Sequence, residues 1–469
     1  MVTTLLTATG ERRATTTVVL LANFMCNLDL WVVNVAITAI GGSLHGSSLA
    51  GLSWVINGYA IALAALLVVS GRAADRYGAK RIVQAGLVVF TVASVLCALA
   101  PTLTALVAFR VLQGIGAAML TTASLSLLLG VTPVDQRAHA VRNWAAIGAL
   151  AAATGPTIGG LLVALDWRWV FLINLPIGIA AVLLCMLRVP RTADRPDAPH
   201  PDLPGAVLLS AAIAALVAVV VEAPAVGFSP AVAVAVAILV LAGAAFVVRT
   251  RVHADPLIAP GLLRQRGFGA VNVAVLVFSA AFGIMLLANS LWMQDVWHYS
   301  PVVTGLAMAP GPLMVPLTTA VLRRYGRGVR PIVFVIFGGL LFAVGMAWAV
   351  VARTPEPAYL TAVLPQLAAT GIGVGLAMGN LLATGSSLVP NDQAGAGSGV
   401  LNTSRQVGSS IGVAVLVSAL AATGQSVRGF DLAWAVAVAA GLLVAVLALL
   451  LARRRETVDG RDGGSPVGP

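Results

Sequence analysis

Long apolar runs alternate with short polar breaks along the whole chain. Fourteen runs follow one another, at 16–40, 51–70, 82–99, 103–129, 139–163, 168–188, 204–222, 229–248, 268–294, 302–322, 331–352, 358–384, 396–421 and 432–452. Each holds about 18 residues or more, which as a helix rising 1.5 Å per residue crosses a hydrocarbon layer of about 30 Å. The pattern predicts an all-α polytopic membrane protein. Because the breaks are short, successive helices are expected to be antiparallel neighbours. The longest break, between Arg188 and Pro204, is rich in Pro, Asp and Arg and reads as a solvated linker.

Composition agrees with the pattern. The chain is 59% hydrophobic and 10% charged, with a mean hydropathy of +0.97, where soluble domains carry about 25% charged residues. The net charge of +11 does not point to nucleic acid, because the cations sit in short loops, as the orientation rule for membrane proteins requires. Of 28 cations, Arg168, Arg353 and Arg428 fall in loops of one side and Arg110 and Arg405 within spans. The remainder lie in loops, tails or span ends of the other side. That asymmetry places both termini in the cytoplasm. The first span is read as uncleaved. Cys26, Cys97 and Cys185 lie in apolar runs with neither disulfide nor metal spacing.

The stretch Gly71-Arg-Ala-Ala-Asp-Arg-Tyr-Gly-Ala-Lys-Arg81 is read as a basic loop between the second and third spans. Gly71 and Gly78 permit close approach and a turn. Asp75 stands among the cations Arg72, Arg76, Lys80 and Arg81. The stretch resembles the signature loop between helices 2 and 3 of the major facilitator superfamily. A basic, glycine-containing echo without a counterpart of Asp75 occurs at 322–330. The two occupy equivalent places if the chain is two six-helix bundles separated by two extra helices, with a substrate site between the bundles. The division is then a tail at 1–15, bundles at 16–188 and 268–452, extra helices at 204–248, linkers at 189–203 and 249–267, and a disordered tail at 453–469.

Some polar groups must live inside the membrane. Asp29 lies about 12 residues, or about 18 Å, from the outer end of span 1, and Arg110 about 10 Å below the outer end of span 4. An intramembrane carboxylate is costly unless neutralised or paired, so it marks a functional site by default. The two could meet in one cavity, where a fixed cation tunes a carboxylate between ionised and protonated forms. Span 5 carries Gly155-Pro156-Thr157-Ile158-Gly159-Gly160. Its proline kinks the helix and its glycines admit a neighbour.

With Arg110-Val-Leu-Gln113-Gly114-Ile-Gly116 in span 4 and Leu28-Asp29 with Val32-Val33-Asn34-Val35-Ala36 in span 1, these stretches carry a resemblance over nearly the whole chain. The chain is similar to fourteen-helix drug:proton antiporters of the major facilitator superfamily, of the actinobacterial antibiotic-exporter type. Asp166–Gly178, Ser300-Pro301 with Gly305 and Pro310, and Arg405–Gly408 extend the likeness. The resemblance implies the major facilitator fold in a bacterial cytoplasmic membrane. It further implies alternating-access export driven by inward proton flow, with Asp29 and Arg110 coupling the proton. Gly71, Asp75, Arg76, Gly78, Lys80 and Arg81 would gate, and Gly155, Pro156, Gly159 and Gly160 would form the antiport motif. Three departures stand out: Trp31 where the family has a small hydroxyl residue, Ala73 for leucine, and Ala151 for glycine. Trp31 would narrow the cavity and favour a flat or aromatic substrate.

Trp31, Asn34, Trp54, Asn57, Tyr59, Gln113, Gln294 and Trp297 are candidate lining residues. Glu222 and Asp295 read either as solvated rim residues or as a second acid site. The expected partners are a small amphipathic molecule, cationic or aromatic, protons and membrane lipids, with the protein a monomer and no cofactor beyond the proton gradient. No phosphate-binding loop, metal cluster or activated nucleophile is present in the sequence, so an enzyme and a direct ATP drive are not expected. A proton-coupled importer on the same fold is the alternative.

Overall fold

Each helix of the computed structural model begins where the sequence supplies a cap or a break. The structure describes residues 2–44, 48–133, 136–190, 192, 200–226, 229–258, 261–262, 265, 267–326, 328–389, 394–424 and 426–462. The helices of the first half are α1 (Val2–Ser43), α2 (Leu49–Tyr77), α3 (Ala79–Ala98), α4 (Leu103–Val131), α5 (Arg137–Leu165), α6 (Trp169–Leu172) and α7 (Asn174–Arg188). A hairpin follows, α8 (Leu203–Val226) and α9 (Pro230–Val252). The second half holds α10 (Phe268–Leu291), α11 (Pro301–Met308), α12 (Pro310–Tyr325), α13 (Pro331–Ala352), α14 (Leu364–Ser386), α15 (Ala394–Ala422) and α16 (Val427–Asp462). Ser48, Thr102, Ser229 and Ser300 each accept a hydrogen bond from the backbone N–H three residues on, which satisfies a donor the helix itself leaves open. Pro230 and Pro301 follow their caps at the first helical position, where a missing N–H costs nothing.

Thirteen described segments are long and apolar enough to cross a membrane. The remaining span expected from the sequence is α5, a helix of 29 residues. Two helices run further than the apolar pattern suggests. α1 starts at Val2, and α16 continues through Asp462; residues 463–469 of the expected tail lie outside the described residues. The basic stretch 71–81 is also not a loop. α2 carries Gly71 to Tyr77 as its last two turns, and α3 starts at Ala79. The reversal rests on Gly78 alone, whose φ of 88° lies where a side chain would be strained.

The first half packs α1 against α5 and α7, and α4 against α2 and α3. The second repeats the scheme with α10 against α15 and α16, and α13 against α14 and α16. Three seams join the halves. Ser290 on α10 and Gln294 in the π-helical turn that follows it donate to the carbonyls of Asn34 and Val35 on α1, at 3.1 and 3.2 Å. Thr403 on α15 donates to the carbonyl of Ala64 on α2 at 2.8 Å. On the third seam Gly160 of α5 lies against the carbonyl of Pro301, and Gly305 of α11 lies against the carbonyl of Pro156. A Cβ at either glycine would collide with main chain, so the two helices meet backbone to backbone.

The hairpin covers the α2–α15 seam. Ile213, Val217 and Val221 of α8 pack with Ile61 of α2 and with Ala414 and Val417 of α15. α9 turns Val234, Ile238, Val240, Leu241 and Val248 outward, an apolar face suited to lipid. At the end of the molecule that holds Gly78, a polar knot ties the hairpin down. Asp202 accepts from Gly205 N (2.9 Å), Arg249 Nε (2.7 Å) and Leu257 N (3.0 Å). Arg72 of α2 donates to the carbonyls of Asp255 and Pro256 at 2.9 and 2.7 Å.

Burial alone would raise the Asp202 carboxyl, but its hydrogen bonds and the Arg249 charge outweigh that and hold it below the ordinary carboxylate value. Its contribution to stability is therefore present above about pH 4 and is lost only as the pH falls through the lowered value. Asp202→Asn is expected to destabilise this knot by about 1–3 kcal/mol. The readouts are a lower melting temperature at neutral pH and faster hydrogen exchange at 253–258. Unchanged exchange there would show that the knot does not hold the hairpin.

Candidate functional site

Asp29, near the middle of α1, and Arg110, near the start of α4, form a direct ion pair, each about 1% exposed. Two isolated charges at that depth would each lose several kcal/mol of hydration, so the surroundings must supply partners. Arg110 Nη1 donates both to Asp29 and to Gln113 Oε1 (2.6 Å), and its Nε donates to the carbonyl of Val55 (2.9 Å). Gln113 Nε2 donates to Asp29 Oδ1 (2.9 Å) and to Ser94 Oγ (2.8 Å). Asn174 Nδ2 donates to the same Asp29 oxygen and to Ser94 Oγ, both at 3.3 Å. The guanidinium also lies 4.2 Å from the ring centre of Tyr59 and 5.8 Å from that of Phe171, contacts worth about 0.5–2 kcal/mol each.

Local sequence explains how six helices converge here. Arg110 and Gln113 are three residues apart and so share a helix face. Gly114 and Gly116 remove the side chains that would hold α4 away from its neighbours. A Cβ on Gly114 would lie 2.5 Å from the carbonyl oxygen of Tyr59, and one on Gly116 would lie 2.7 Å from Phe90 N. The short break between α6 and α7 falls between Phe171 and Asn174 and sends one under the cation and the other to the carboxylate. Phe171, Asn174 and Ser94 were not singled out from the sequence. Asn174 and Ser94 carry a signal of their own, since each is a polar residue inside an apolar run.

The other expected residues distribute unevenly. Tyr59 and Gln113 belong to the network, and Asn57, fully buried on α2, has neither amide atom hydrogen-bonded. Trp31 meets Phe282 of α10 edge-on at 5.6 Å and packs on Gly155, where a Cβ would lie 2.5 Å from its own. Asn34 donates to the carbonyl of Leu30 in its own helix at 2.7 Å. Gln294 is spent on the α1–α10 seam. Trp54 packs among the α2–α8–α15 apolar residues and Trp297 donates to the carbonyl of Thr354 at 2.8 Å, so neither lies beside Asp29. Gly159 abuts the Val32 backbone, which makes the Gly155–Gly160 stretch the face on which α5 meets α1 and α11. Asp75 lies on the exposed side of the last turn of α2, with Arg76 and the exposed Arg81 nearby in sequence. Lys80 donates to the carbonyl of Val189 and its N–H to Thr192 Oγ1. Glu222 is partly exposed near the end of α8, and Asp295 is exposed in a π-helical turn, Trp292–Val296, that ends the α10 span.

One cation departs from its expected place. Arg353, assigned to a solvated loop by its position between two spans, is only 9% exposed. It caps α13 and turns inward to Asn289 and Gln366, over the rings of Trp434 and Trp292.

The model of the Major Facilitator Superfamily matches residues 19–413. The chain belongs to this superfamily. It is 34% identical over 474 residues to the puromycin resistance protein of Streptomyces alboniger, covering 96% of this chain and 93% of that protein. It is 36% identical over 424 residues to the cephamycin export protein of Amycolatopsis lactamdurans, covering 89% and 86%. To the multidrug resistance protein Stp of Mycobacterium tuberculosis it is 32% identical, covering 85% and 74%. Among solved structures, the inward-open xylose transporter XylE of E. coli superposes with a TM-score of 0.65 at 14% identity, covering 93% and 96% of the two chains. The POT-family transporter PepTSo gives 0.67 at 15%, covering 94% and 98%. These likenesses establish the fold, and the superfamily member is a multi-pass bacterial membrane protein.

Arg110→Lys is expected to fail despite keeping the charge. Lysine lacks the Nε–H given to Val55 and the flat face laid on Tyr59. The expected result is a melting temperature several degrees below wild type together with lost transport. Wild-type stability and transport would reduce Arg110 to a point charge.

Proposed function

We propose that this protein exports a small amphipathic drug or antibiotic in exchange for protons, by alternating access between its two halves. The observation that carries the reading is the buried Asp29–Arg110 pair, with three donors on the carboxylate and no water-exposed atom to spare. A proton on Asp29 would cancel the charge that holds Arg110, Gln113 and Asn174 in place, and α1, α4 and α7 would be released together. The export direction is supported by the names of the relatives, which are resistance and export proteins. The seams at α1–α10 and α5–α11 support a conformation closed at the end that the charge rule puts outside, with the substrate path facing the cytoplasm. Trp31, beside Phe282 and Gly155 on this route, supports a flat or aromatic substrate.

The basic end of α2 supplies the gate in this reading. It holds the linker through Arg72, and Lys80 at the start of α3 holds Val189 and Thr192. Asp75 acts there on the balance of states, since a group shifts that balance only through contacts that differ between them.

Asp29→Asn should remove proton-driven export and leave a folded protein. In liposomes with an inward proton gradient, uphill export by this variant at the wild-type rate would exclude Asp29 as the coupling group. Asp75→Asn should slow turnover more than it weakens substrate binding and should change spin-label distances across the Gly78 end. Unaltered distances with lost binding would remove the gating role.

A further inference from the structure

The second half contains a counterpart of the Asp29 network that lacks an anion. In order along each half, α1 corresponds to α10, α3 to α13, α4 to α14, and the start of the sixth span, α6, to the start of α16. In the first half a carboxylate on α1, a glutamine on α4 and a cation resting on an aromatic ring of the sixth span make one network. In the second half Asn289 on α10 stands in the carboxylate's role, Gln366 on α14 in the glutamine's, and Trp434 on α16 in the aromatic's. Gln366 Nε2 donates to Asn289 Oδ1 (3.2 Å) and approaches Met346 Sδ of α13 (3.7 Å), as Gln113 reaches toward α1 and α3. The cation is Arg353, 4.5 Å from the ring centre of Trp434 and 5.8 Å from that of Trp292.

The difference lies in the charge balance. Arg353 is protonated at neutral pH. Its partners are the amide oxygens of Asn289 and Gln366 and two rings, and no carboxylate is within ion-pairing distance among the described residues. Its Nε and Nη1 are buried without partners. So are Asn289 Nδ2, Trp292 Nε1 and Trp434 Nε1, all on residues that touch Arg353 or one another. Every one of these orphaned groups is a donor. A cluster of unused donors around a buried cation is costly to leave empty, because each lacks both water and an acceptor. An anion beside the guanidinium would accept from Arg353 Nε and Nη1 and remove their penalty. The next residues, Thr354 to Pro357, are exposed, so the cluster lies one residue from solvent.

We infer that Arg353, Asn289, Trp292 and Trp434 form a binding site for one small monovalent anion, either a free halide or the carboxylate of a transported molecule. One negative charge matches the single uncompensated positive charge. Glu356 and Asp431, the acids nearest in sequence to Arg353 and Trp434, are not paired with the guanidinium.

The test uses the purified full-length protein in detergent, melted in sodium isethionate as a bulky reference anion and then with chloride or acetate substituted at constant ionic strength. A ligand that binds only the folded state raises the melting temperature with its concentration. An increase of about 2 °C or more is expected. Chloride acting alone identifies a halide site, and acetate acting identifies a carboxylate site. Arg353→Gln should abolish the dependence. Should that variant fail to fold, Asn289→Asp decides the matter, because a built-in carboxylate should raise stability in isethionate and remove the response to added anion. No anion response in the wild-type protein, or a response that persists in either variant, overturns the site.

Discussion

A charge pair without access to water governs how the first half of this protein can be built. Asp29 and Arg110 are tolerable in the membrane interior only if nearly every donor and acceptor they present is matched. Matching them takes a glutamine one helical turn along, a serine on α3, an asparagine on α7, a main-chain carbonyl on α2 and an aromatic face on each side. Those demands fix the rotation of α4, the close approach permitted by Gly114 and Gly116, and the break that separates α6 from α7. The motifs of the first half are thus parts of one electrostatic solution, and a change in the charge of Asp29 is felt by all of them.

The second half meets the same geometric demands with a different charge. Amides replace the carboxylate, tryptophans replace tyrosine and phenylalanine, and the cation arrives from the end of α13 in place of the fourth span. The two halves share a framework of helices, but among the described residues only the first holds a fully buried ion pair.

Much of this was readable from the chain. The apolar runs mark the thirteen described segments able to cross a membrane, because a membrane imposes both length and composition on a helix. Asp29 and Arg110 were conspicuous for the same reason, as charges where the solvent forbids them. What escaped notice has a common cause. Arg353 lies at a boundary between apolar runs, where one residue of drift separates a solvated loop from a buried cap, and only the turn of the side chain decides. Trp54 and Trp297 look like cavity residues in sequence, but helix rotation, which composition does not encode, directs them to other neighbours. The stretch 71–81 reads as a loop because it is polar, although a polar segment beyond the membrane surface can continue a helix freely until Gly78.

The tie between the gate and the hairpin has an evolutionary side. Arg72 grips the linker through the carbonyl oxygens of Asp255 and Pro256, and Leu257 reaches Asp202 through its own N–H. These are main-chain atoms, present whatever side chains occupy the positions. The linker can therefore drift widely in sequence while the inserted helices stay coupled to α2. Its length is far less free, because one residue gained or lost would move the gripped carbonyls out of register. On the linker's side the hold therefore asks for chain length, and side-chain chemistry is required only of Arg72 and Asp202.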